Sequence, residues 1–322
     1  MAIGLGIIGT GKHGARYLRH VADVPALRLA ALARRDQEAG RRQAAEYGCR
    51  YYRDPEALIE DPDVEVVAVV VPPTQHVRLA LAVARARKTL RIEKPLAPSV
   101  GECRQIADAV DAAGITAMVA HTLRFNAVVQ ALREALPTIG PLHAAALTQR
   151  FEPSQLAWLD RPAESGGGII VHTGVHSFDL LRFLTGREAV RVAATAARVC
   201  TRDTEDNFAA AVEMDDGMRA VLGGSRATAG RSGAIELAGR DGQLVGDHVH
   251  ALAARLVGTT RTALEVGAPV MTVPAVLQEL VDALAARRAP AITLADGASA
   301  VAIAEGCYRS LASGRVEAVE RW

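Results

Sequence analysis

The segment LRIEKPLAP, residues 90–98, places Lys94 between an acidic residue and a proline. The chain has 37 lysines and arginines in total, but only Lys12, Lys88 and Lys94 are lysines. An arginine keeps its proton in a protein, whereas a lysine can release it when its surroundings lower its pKa. Lys94 is therefore a candidate for proton transfer, and the alternative is a lysine solvated in a loop.

A second candidate site is the segment SGGGIIVHTGVHSFDLLRFLTG, residues 165–186. The glycines predict a loop, and the chain is expected to become helical from about Thr173. His172 and His176 are four residues apart, so a helix places them on one face, with Asp179 one turn further on. His176 can then exchange a proton with a substrate hydroxyl. A metal ion is disfavoured because a third ligand at a recognised spacing is missing; a histidine bonded to the backbone at a helix start is the structural alternative.

The start of the chain has the pattern of a nucleotide-binding turn. Gly9, Gly11 and Gly14 form G-x-G-x-x-G between the apolar run IGLGIIG, a predicted strand, and ARYLRHVA, a predicted helix. These glycines permit a tight turn, a close approach to a pyrophosphate and close packing of the helix on the strand. We expect a dinucleotide site, and a glycine-rich turn of another α/β protein is the alternative. The predicted cofactor-binding residues in this turn are Gly9, Thr10, Gly11, Lys12, His13 and Gly14.

Two arginines follow the second predicted strand, LRLAALA. An NAD site places an acidic residue about 20 positions after the glycines, where it binds the ribose 2′-hydroxyl. Counting from Gly14 leads instead to Arg34, and Arg34 with Arg35 would attract a 2′-phosphate. The sequence therefore predicts NADP(H) as the preferred cofactor. NAD(H) is the alternative if Asp36 binds the ribose, but Asp36 is expected to cap the next helix.

Two further predicted strands end in residues that can contact a cofactor. Residues 64–71 are mostly β-branched, which predicts a doubly buried parallel strand, and TLRIEKP predicts another strand that ends at Lys94. Ligands bind at the carboxyl ends of strands in open α/β sheets, so Lys94 is expected on the edge that carries the glycine loop. Glu93 is expected to point away from Lys94. The predicted cofactor-binding set is completed by Pro72, Pro73, His76, Glu93 and Lys94.

The composition excludes several classes of protein. Half of the 322 residues are hydrophobic, 23% are charged, and a net charge of +1 gives no basic footprint for nucleic acid. The longest apolar run, residues 66–73, is too short to cross a membrane. Scattered cysteines and an N-terminus without a basic, cleavable leader predict a cytoplasmic protein. The length predicts two domains.

The motifs together resemble the glucose–fructose oxidoreductase/inositol dehydrogenase/MocA family, nearly from end to end. The resemblance rests on GIIGTGKHG, PPTQH, RIEKPLA, HTLRFN, the segment at 165–186 and YRSLASG. It implies an α/β protein whose N-terminal domain, residues 1–121, is a doubly wound parallel Rossmann sheet that binds NAD(P). The C-terminal α+β domain, residues 122–322, is expected to carry a large, mostly antiparallel open sheet.

The second half of the sequence agrees with such a sheet. Short strand-like runs with glycine turns fill residues 189–246, and the segment MDDGM signals a hairpin. One face of an open antiparallel sheet needs a cover, so we expect a homodimer or homotetramer formed through it.

The resemblance also implies residues on the substrate side. Arg124 and Trp158 are expected to line that side, and the family usually has Asp at the position of His172. A histidine can donate a hydrogen bond where a carboxylate only accepts one. Substrates with an acidic group, such as uronic acids or sugar nucleotides, therefore become plausible.

The function predicted from these residues is NADP-dependent hydride transfer to or from a sugar, polyol or sugar acid. Lys94 and His176 would stabilise charge on the reacting oxygen and transfer its proton, while the cofactor supplies the redox chemistry. One alternative is a hydrolase or lyase that uses transient oxidation by a retained nicotinamide. Another is a regulatory NAD(P)-binding protein without chemistry, against which a titratable lysine at the strand end argues.

Overall fold

A computed structural model describes residues 2–322, and the chain forms two compact units. The first unit contains the chain up to residue 122 together with residues 271–298, and the second contains residues 123–270 and 299–322. The predicted division into 1–121 and 122–322 placed the segment 271–298 in the second domain. This segment belongs to the first unit because its helix packs against the first helix of the chain. The predicted roles of the two domains, cofactor binding in the first and substrate binding and oligomerisation in the second, stay predictions.

Strands and helices alternate along the first unit, whereas strands predominate in the second. The strands are β1 (Ile3–Ile8), β2 (Leu27–Ala33), β3 (Arg50–Tyr52), β4 (Val66–Val69), β5 (Thr89–Ile92), β6 (Ala117–Val119), β7 (Leu142–Arg150), β8 (Ala189–Ala197), β9 (Asn207–Met214), β10 (Arg219–Ser225), β11 (Ser232–Gly239), β12 (Gly242–Asp247), β13 (Leu252–Val257), β14 (Thr260–Ala263) and β15 (Glu317–Ala318). The α-helices are α1 (Gly14–His20), α2 (Gln37–Tyr47), α3 (Pro55–Glu60), α4 (His76–Arg85), α5 (Val100–Ala113), α6 (Ala127–Ala135), α7 (Pro162–Ser165), α8 (Val175–Thr185), α9 (Thr272–Ala286) and α10 (Leu294–Ser313). Short 3₁₀ helices span Val21–Asp23, Pro73–Gln75, Thr122–Phe125, Leu136–Ile139 and Ala157–Asp160, and a wider π-helical turn spans Ile170–Gly174.

The first unit is built on a parallel sheet, and its order over the described residues is β3-β2-β1-β4-β5-β6. The chain order reverses between β1 and β4, which is the arrangement of a doubly wound Rossmann fold and confirms the predicted class. All four side chains of β4 are buried, as a strand covered on both faces requires. The strand is shorter than the predicted 64–71, because its pairing with β1 and β5 covers only Val66–Val69.

Two helices that follow strands of this sheet begin with side-chain caps. The Asp36 carboxylate accepts a hydrogen bond from the Ala39 amide at 3.1 Å, which confirms the predicted cap of α2. Ser99 accepts from the Glu102 amide at 3.3 Å, and its hydroxyl donates to the Glu102 carboxylate at 3.0 Å. Such caps satisfy backbone donors that the first helical turn leaves unpaired. They fix where the loops after β2 and β5 end.

The second unit is built on a larger sheet, whose order over the described residues is β14-β13-β12-β11-β7-β10-β9-β8-β15. Neighbouring strands are antiparallel except β7 and β10, which are parallel, so the predicted mostly antiparallel sheet is confirmed. The predicted hairpin joins β9 to β10, and Gly217 in its turn adopts a φ of +89° that favours glycine. Helix α8 covers one face, where the rings of Phe178 and Phe208 lie 6.1 Å apart.

The described chain has neither a disulfide nor a membrane helix. Cys49, Cys103, Cys200 and Cys307 form no disulfide within the described residues, and burial raises the pKa of the Cys307 thiol to about 12. Among the helices of residues 2–322, none combines the length and the apolar composition that a membrane span requires.

Candidate functional site

The carboxyl ends of four parallel strands bring the first group of predicted residues to one edge of the sheet. The glycine loop follows β1, Arg34 follows β2, Pro72 and Pro73 follow β4, and Lys94 follows β5. Because β1 and β4 flank the point where the strand order reverses, this edge is where an open α/β sheet binds its ligand. Lys94 is half-buried there, and its peptide bond to Pro95 is cis.

The structure gives a different reason for the presence of each of the three glycines in the loop. Gly9 has a φ of +94°, and a Cβ there would lie 2.2 Å from the Val70 carbonyl oxygen. A Cβ on Gly14 would lie 2.1 Å from the Gly9 carbonyl oxygen, so close packing of helix and strand requires this glycine. Apart from its chain neighbours, a Cβ on Gly11 would meet no protein atom of the described chain within 4 Å. Protein packing therefore does not require Gly11, whereas close approach of a pyrophosphate does, and the loop fits a dinucleotide.

Arg34 is bonded to the glycine loop. Its Nη1 donates to the Thr10 carbonyl at 2.9 Å and to Gln43 Oε1 at 3.2 Å. The Thr10 hydroxyl donates to the same Gln43 oxygen at 2.7 Å, and Gln43 Nε2 donates back to the Thr10 carbonyl at 3.2 Å. The guanidinium is thereby fixed beside the loop at the end of β2, with 27% of the side chain exposed. Arg35 is exposed, and no ion pair holds it within residues 2–322.

Gln43 is a site residue that no sequence motif selects. It lies on α2, which is partly exposed. Glutamine is common in such helices, so its presence there gives no functional signal. Its contact with Thr10 spans 33 residues of sequence, so only the folded structure brings the two together.

Glu93 joins the loop to the end of β5. Its Oε1 accepts from Tyr17 Oη at 2.7 Å and Arg91 Nη2 at 2.7 Å, and lies 3.0 Å from His13 Nε2. Burial raises the pKa of this carboxyl, but the charges of Arg91 and His13 outweigh burial and hold it well below 4.5. Glu93 is therefore a buried carboxylate that fixes the backbone immediately before Lys94.

Arg91 is the buried counter-ion of this carboxylate. Its side chain is fully buried, and its guanidinium lies 4.0 Å from the centre of the Tyr17 ring. A buried charge requires a partner and contacts of this kind. Arg91 and Tyr17 were not among the predicted site residues, because an arginine inside a strand and a tyrosine in a helix carry no motif.

In the second unit, the structure brings Trp158 and His172 together. The two rings meet edge to face with centroids 5.5 Å apart, and His172 is buried in the π-helical turn. The helical conformation thus begins at Ile170, before the predicted Thr173, with a wider turn that changes the expected alignment of the histidines. His176 is half-buried in the first turn of α8. No set of three His, Cys, Asp or Glu side chains in residues 2–322 is arranged to hold a metal ion.

Asp160 fixes the short helix that carries Trp158. Its carboxylate accepts from the backbone amides of Arg202, Asp203 and Thr204 at 2.8, 3.0 and 2.9 Å. Burial raises the pKa of Asp160, but these amides together outweigh burial and lower the pKa to about 2. The bonds span more than 40 residues of sequence, which is why no local pattern predicts them.

The glycines before the histidines fit against Glu205 and Tyr308. A Cβ on Gly168 would lie 2.1 Å from the Glu205 carbonyl oxygen, so this position has no room for a larger residue. Tyr308 donates to the Glu205 carboxylate at 2.7 Å and accepts from the Gly168 amide at 3.1 Å. The same carboxylate accepts from the Ile170 amide at 3.1 Å, which fixes the start of the π-helical turn.

Arg124, predicted to line the substrate side, is paired with Asp179. The guanidinium donates from Nε to Oδ2 at 2.9 Å and from Nη2 to Oδ1 at 2.6 Å, and both side chains are buried. It also lies 5.0 Å from the centre of the Phe183 ring. Asp179 and Phe183 lie on α8, so the contacts of Arg124 fix the helix that carries His176.

Removing one partner of this pair is expected to destabilise the protein strongly. Asp179→Ala leaves a buried guanidinium without its carboxylate, which costs about 3–5 kcal/mol of unfolding free energy. Glu152→Ala is the matched control, because the Glu152–Arg231 pair in the same unit is exposed by 45% and 56%, and such pairs contribute about 0–1 kcal/mol. Urea unfolding of both variants measures the two changes in unfolding free energy. Equal decreases in unfolding free energy would contradict the structural role of the buried pair.

Comparison with known proteins places this geometry in a family. Residues 3–121 match the family described as an oxidoreductase family with an NAD-binding Rossmann fold, and residues 130–245 match the GFO/IDH/MocA C-terminal domain. The inositol 2-dehydrogenase of Rhizobium meliloti (strain 1021) is 28% identical over 98% of both chains. The 1,5-anhydro-D-fructose reductase of Ensifer adhaerens is 30% identical over 82% of this chain and 83% of that protein.

Solved structures show the same fold at lower identity. Levoglucosan dehydrogenase in complex with NADH superposes with a TM-score of 0.93 over 100% of both chains, at 21% identity. The aldose-aldose oxidoreductase from Caulobacter crescentus has a TM-score of 0.91 over 99% of this chain and 100% of that chain, at 24% identity. The family matches and the reductase relative lead to one assignment. The chain belongs to the GFO/IDH/MocA family of NAD(P)-dependent oxidoreductases.

Proposed function

We propose that the protein is an NADP-dependent oxidoreductase that transfers a hydride to or from a carbohydrate-like hydroxyl or ketone. The observation that carries the proposal is the half-buried Lys94 at the end of β5, next to a carboxylate that contacts the glycine loop. Relatives named inositol 2-dehydrogenase and 1,5-anhydro-D-fructose reductase support a polyol or sugar as substrate.

The chemistry assigned to the chain is proton transfer and charge stabilisation. A bound nicotinamide would supply the hydride, with its pyrophosphate against Gly9, Gly11 and Gly14. Lys94 and His176 are proposed to stabilise negative charge on the substrate oxygen during reduction and to give it a proton. In the oxidising direction the same groups accept the hydroxyl proton.

The NADP preference is proposed from Arg34. Its bonds to Thr10 and Gln43 fix a cation beside the loop, where a 2′-phosphate would be bound. Asp36, the alternative ribose ligand for NAD, accepts from the Ala39 amide with Oδ1, and its Oδ2 lies 3.9 Å from Arg34 Nη2. The NADH complex of levoglucosan dehydrogenase shows that its fold also accommodates the cofactor without a 2′-phosphate. The ratio of the two affinities is therefore the quantity to measure.

Trp158 and His172 are proposed to contact the substrate. An imidazole donor in the place of a carboxylate acceptor supports substrates with an acidic group. Arg124 is proposed to act through α8, since its guanidinium donates two hydrogen bonds to Asp179. The test is a screen of neutral polyols, aldoses and uronic acids with NADP⁺, followed by NADPH fluorescence. Turnover of at least one substrate class supports the proposal, and no turnover with any class by a protein that binds NADPH contradicts it.

A homo-oligomer is proposed through the uncovered face of the large sheet. Across its centre, Val221 pairs with Ala146 on β7 and with Ala211 on β9, so small apolar side chains form a flat row. Val221 is 56% exposed in a strand that has neighbours on both sides. A second copy of the chain is the proposed cover. Four cysteines outside disulfides fit the predicted cytoplasmic location, which stays a prediction.

Charge in this row is expected to dissociate the oligomer. Val221→Asp would bury two or more uncompensated carboxylates between copies, so the mass by light scattering should fall to that of one chain. Val199→Asp is the control, because Val199 is 59% exposed but lies outside the strands of the sheet. Wild-type mass equal to one chain, or an unchanged oligomer in Val221→Asp, would contradict this interface.

A further inference from the structure

His76 is sealed between two backbone carbonyl groups. It is the first residue of α4 and is 0% exposed. Its Nε2 lies 3.0 Å from the Val71 carbonyl oxygen, and its Nδ1 lies 3.1 Å from the Leu96 carbonyl oxygen. The backbone of Pro95, next to Leu96, also contacts the ring.

The two partners cannot both be satisfied by a neutral ring. A carbonyl oxygen only accepts hydrogen bonds, and a neutral imidazole has a single N–H donor. One nitrogen would then direct its lone pair at an oxygen lone pair, although the ring is 0% exposed. Only the imidazolium form donates to Val71 and Leu96 together.

The two carbonyl groups belong to the segment after β4 and to the turn that contains the lysine. Val71 follows β4, and Leu96 lies two residues after Lys94 in the turn that follows β5. On the other side of Lys94, Glu93 is fixed by Tyr17 and Arg91. His76 therefore holds the part of the turn that follows Lys94.

Both cationic and anionic side chains lie on the elements around the ring. On the elements packed against α4 they are Arg91, Glu93 and Lys94 from β5 and its turn, Glu102, Arg104, Asp108 and Asp111 from α5, and Glu56 and Glu60 from α3, with Arg78 and Arg85 on α4 itself. Arg78 is paired with Glu56 at the surface, and Glu102 is bonded to Ser99. Burial lowers the pKa of His76 from 6.5, while its carbonyl partners and the Glu93 carboxylate oppose that effect.

We propose that His76 is a proton-linked positioning residue for Lys94, whose imidazolium clamps the turn at residues 94–96 to the end of β4. This inference rests on the proposed function of Lys94. Proton uptake from water adds the second N–H, so both carbonyls are held. Proton loss breaks one of the two hydrogen bonds and loosens the turn. Both hydrogen bonds are therefore present at acidic pH, and one of them is lost as the pH rises through the pKa of His76.

The direct test is NMR of the full-length protein labelled with ¹⁵N and ¹³C, between about pH 5 and 8. We expect two protonated ring nitrogens on His76 at the acid end and one at the other end. The carbonyl carbons of Val71 and Leu96 should shift with the same midpoint, and His76→Gln assigns the ring signals. A ring that keeps one N–H, or two, over the whole range overturns the proposal, as do carbonyl signals with a different midpoint.

Kinetics separate this role from a purely structural one. The pH profile of kcat should contain an ionisation that His76→Gln lacks. The His76 ring is 0% exposed and both of its nitrogens face backbone carbonyls, so it does not make the direct cofactor contact expected from the sequence, and the KM for NADPH should change little in that variant. His20→Gln is the control, because His20 lies in the same unit and is bonded to Asp23 at the surface. An identical kcat profile in wild type and His76→Gln overturns the coupling to Lys94. Since the NMR titration needs no turnover, failure of the proposed enzymatic function would be seen separately.

Discussion

Lys94→Met is expected to lower kcat by about 10²–10⁴-fold, which is the usual contribution of a positioned proton-transfer group. Methionine keeps the length and apolar stem of lysine but cannot carry a proton or stabilise negative charge. NADPH should bind nearly as tightly as in wild type, because the glycine loop and Arg34 are unchanged. Turnover with the best substrate of the screen gives kcat, and fluorescence titration gives the Kd for NADPH.

The same strand provides the control for this variant. Lys88 directly precedes β5, whereas Lys94 lies past its other end, and Lys88 donates to the Asp61 carbonyl. Lys88→Met removes a lysine from the same unit without touching the carboxyl edge of the sheet, so kcat should stay near the wild-type value. Full turnover in Lys94→Met, or equal losses in the two variants, would remove Lys94 from the mechanism.

Arg34→Ala is expected to change the choice of cofactor. Hydrogen bonds to charged groups contribute about 1.5–3 kcal/mol, so the Kd for NADPH should rise roughly 10- to 100-fold more than the Kd for NADH. Loss of the bond to Thr10 can loosen the loop for both cofactors, so the ratio of the two changes is the informative quantity.

Two variants distinguish the charge of Arg34 from its position. Gln43→Leu keeps the guanidinium but removes the side chain that fixes it, so it should reduce the preference for NADPH by less than Arg34→Ala does. Arg35→Ala should have a smaller effect than Arg34→Ala, because Arg35 is exposed. Equal losses for NADPH and NADH in Arg34→Ala would contradict a bond to the 2′-phosphate.

Local patterns in the sequence predicted the parts of the fold that depend on short-range chemistry. The period of apolar residues and the glycine spacing identified β1, the loop and α1, since a tight turn and close packing require glycines at 9 and 14. Asp36 was predicted as a cap because an N-cap bond joins residues only three positions apart. The hairpin between β9 and β10 was also a local signal.

Contacts between distant residues could not be predicted in this way. Arg124 and Asp179 are 55 residues apart. No local sequence pattern around either residue indicates that the two side chains form a buried ion pair. The role of Glu93 as a shared acceptor depends on residues from two elements that only the fold brings together. The parallel pairing of β7 with β10 likewise depends on sheet topology rather than on the sequence of either strand.

The most direct test of the proposed function is titration of the purified protein with NADPH and, separately, with NADH, followed by nicotinamide fluorescence. Cofactor that is already bound is first excluded by denaturing a sample and assaying the supernatant. We expect saturable binding of both, with a clearly lower Kd for NADPH because Arg34 lies beside the glycine loop. A lower Kd for NADH would move the ribose contact to Asp36 and contradict the NADP assignment, and no binding of either would contradict the proposed function as a whole.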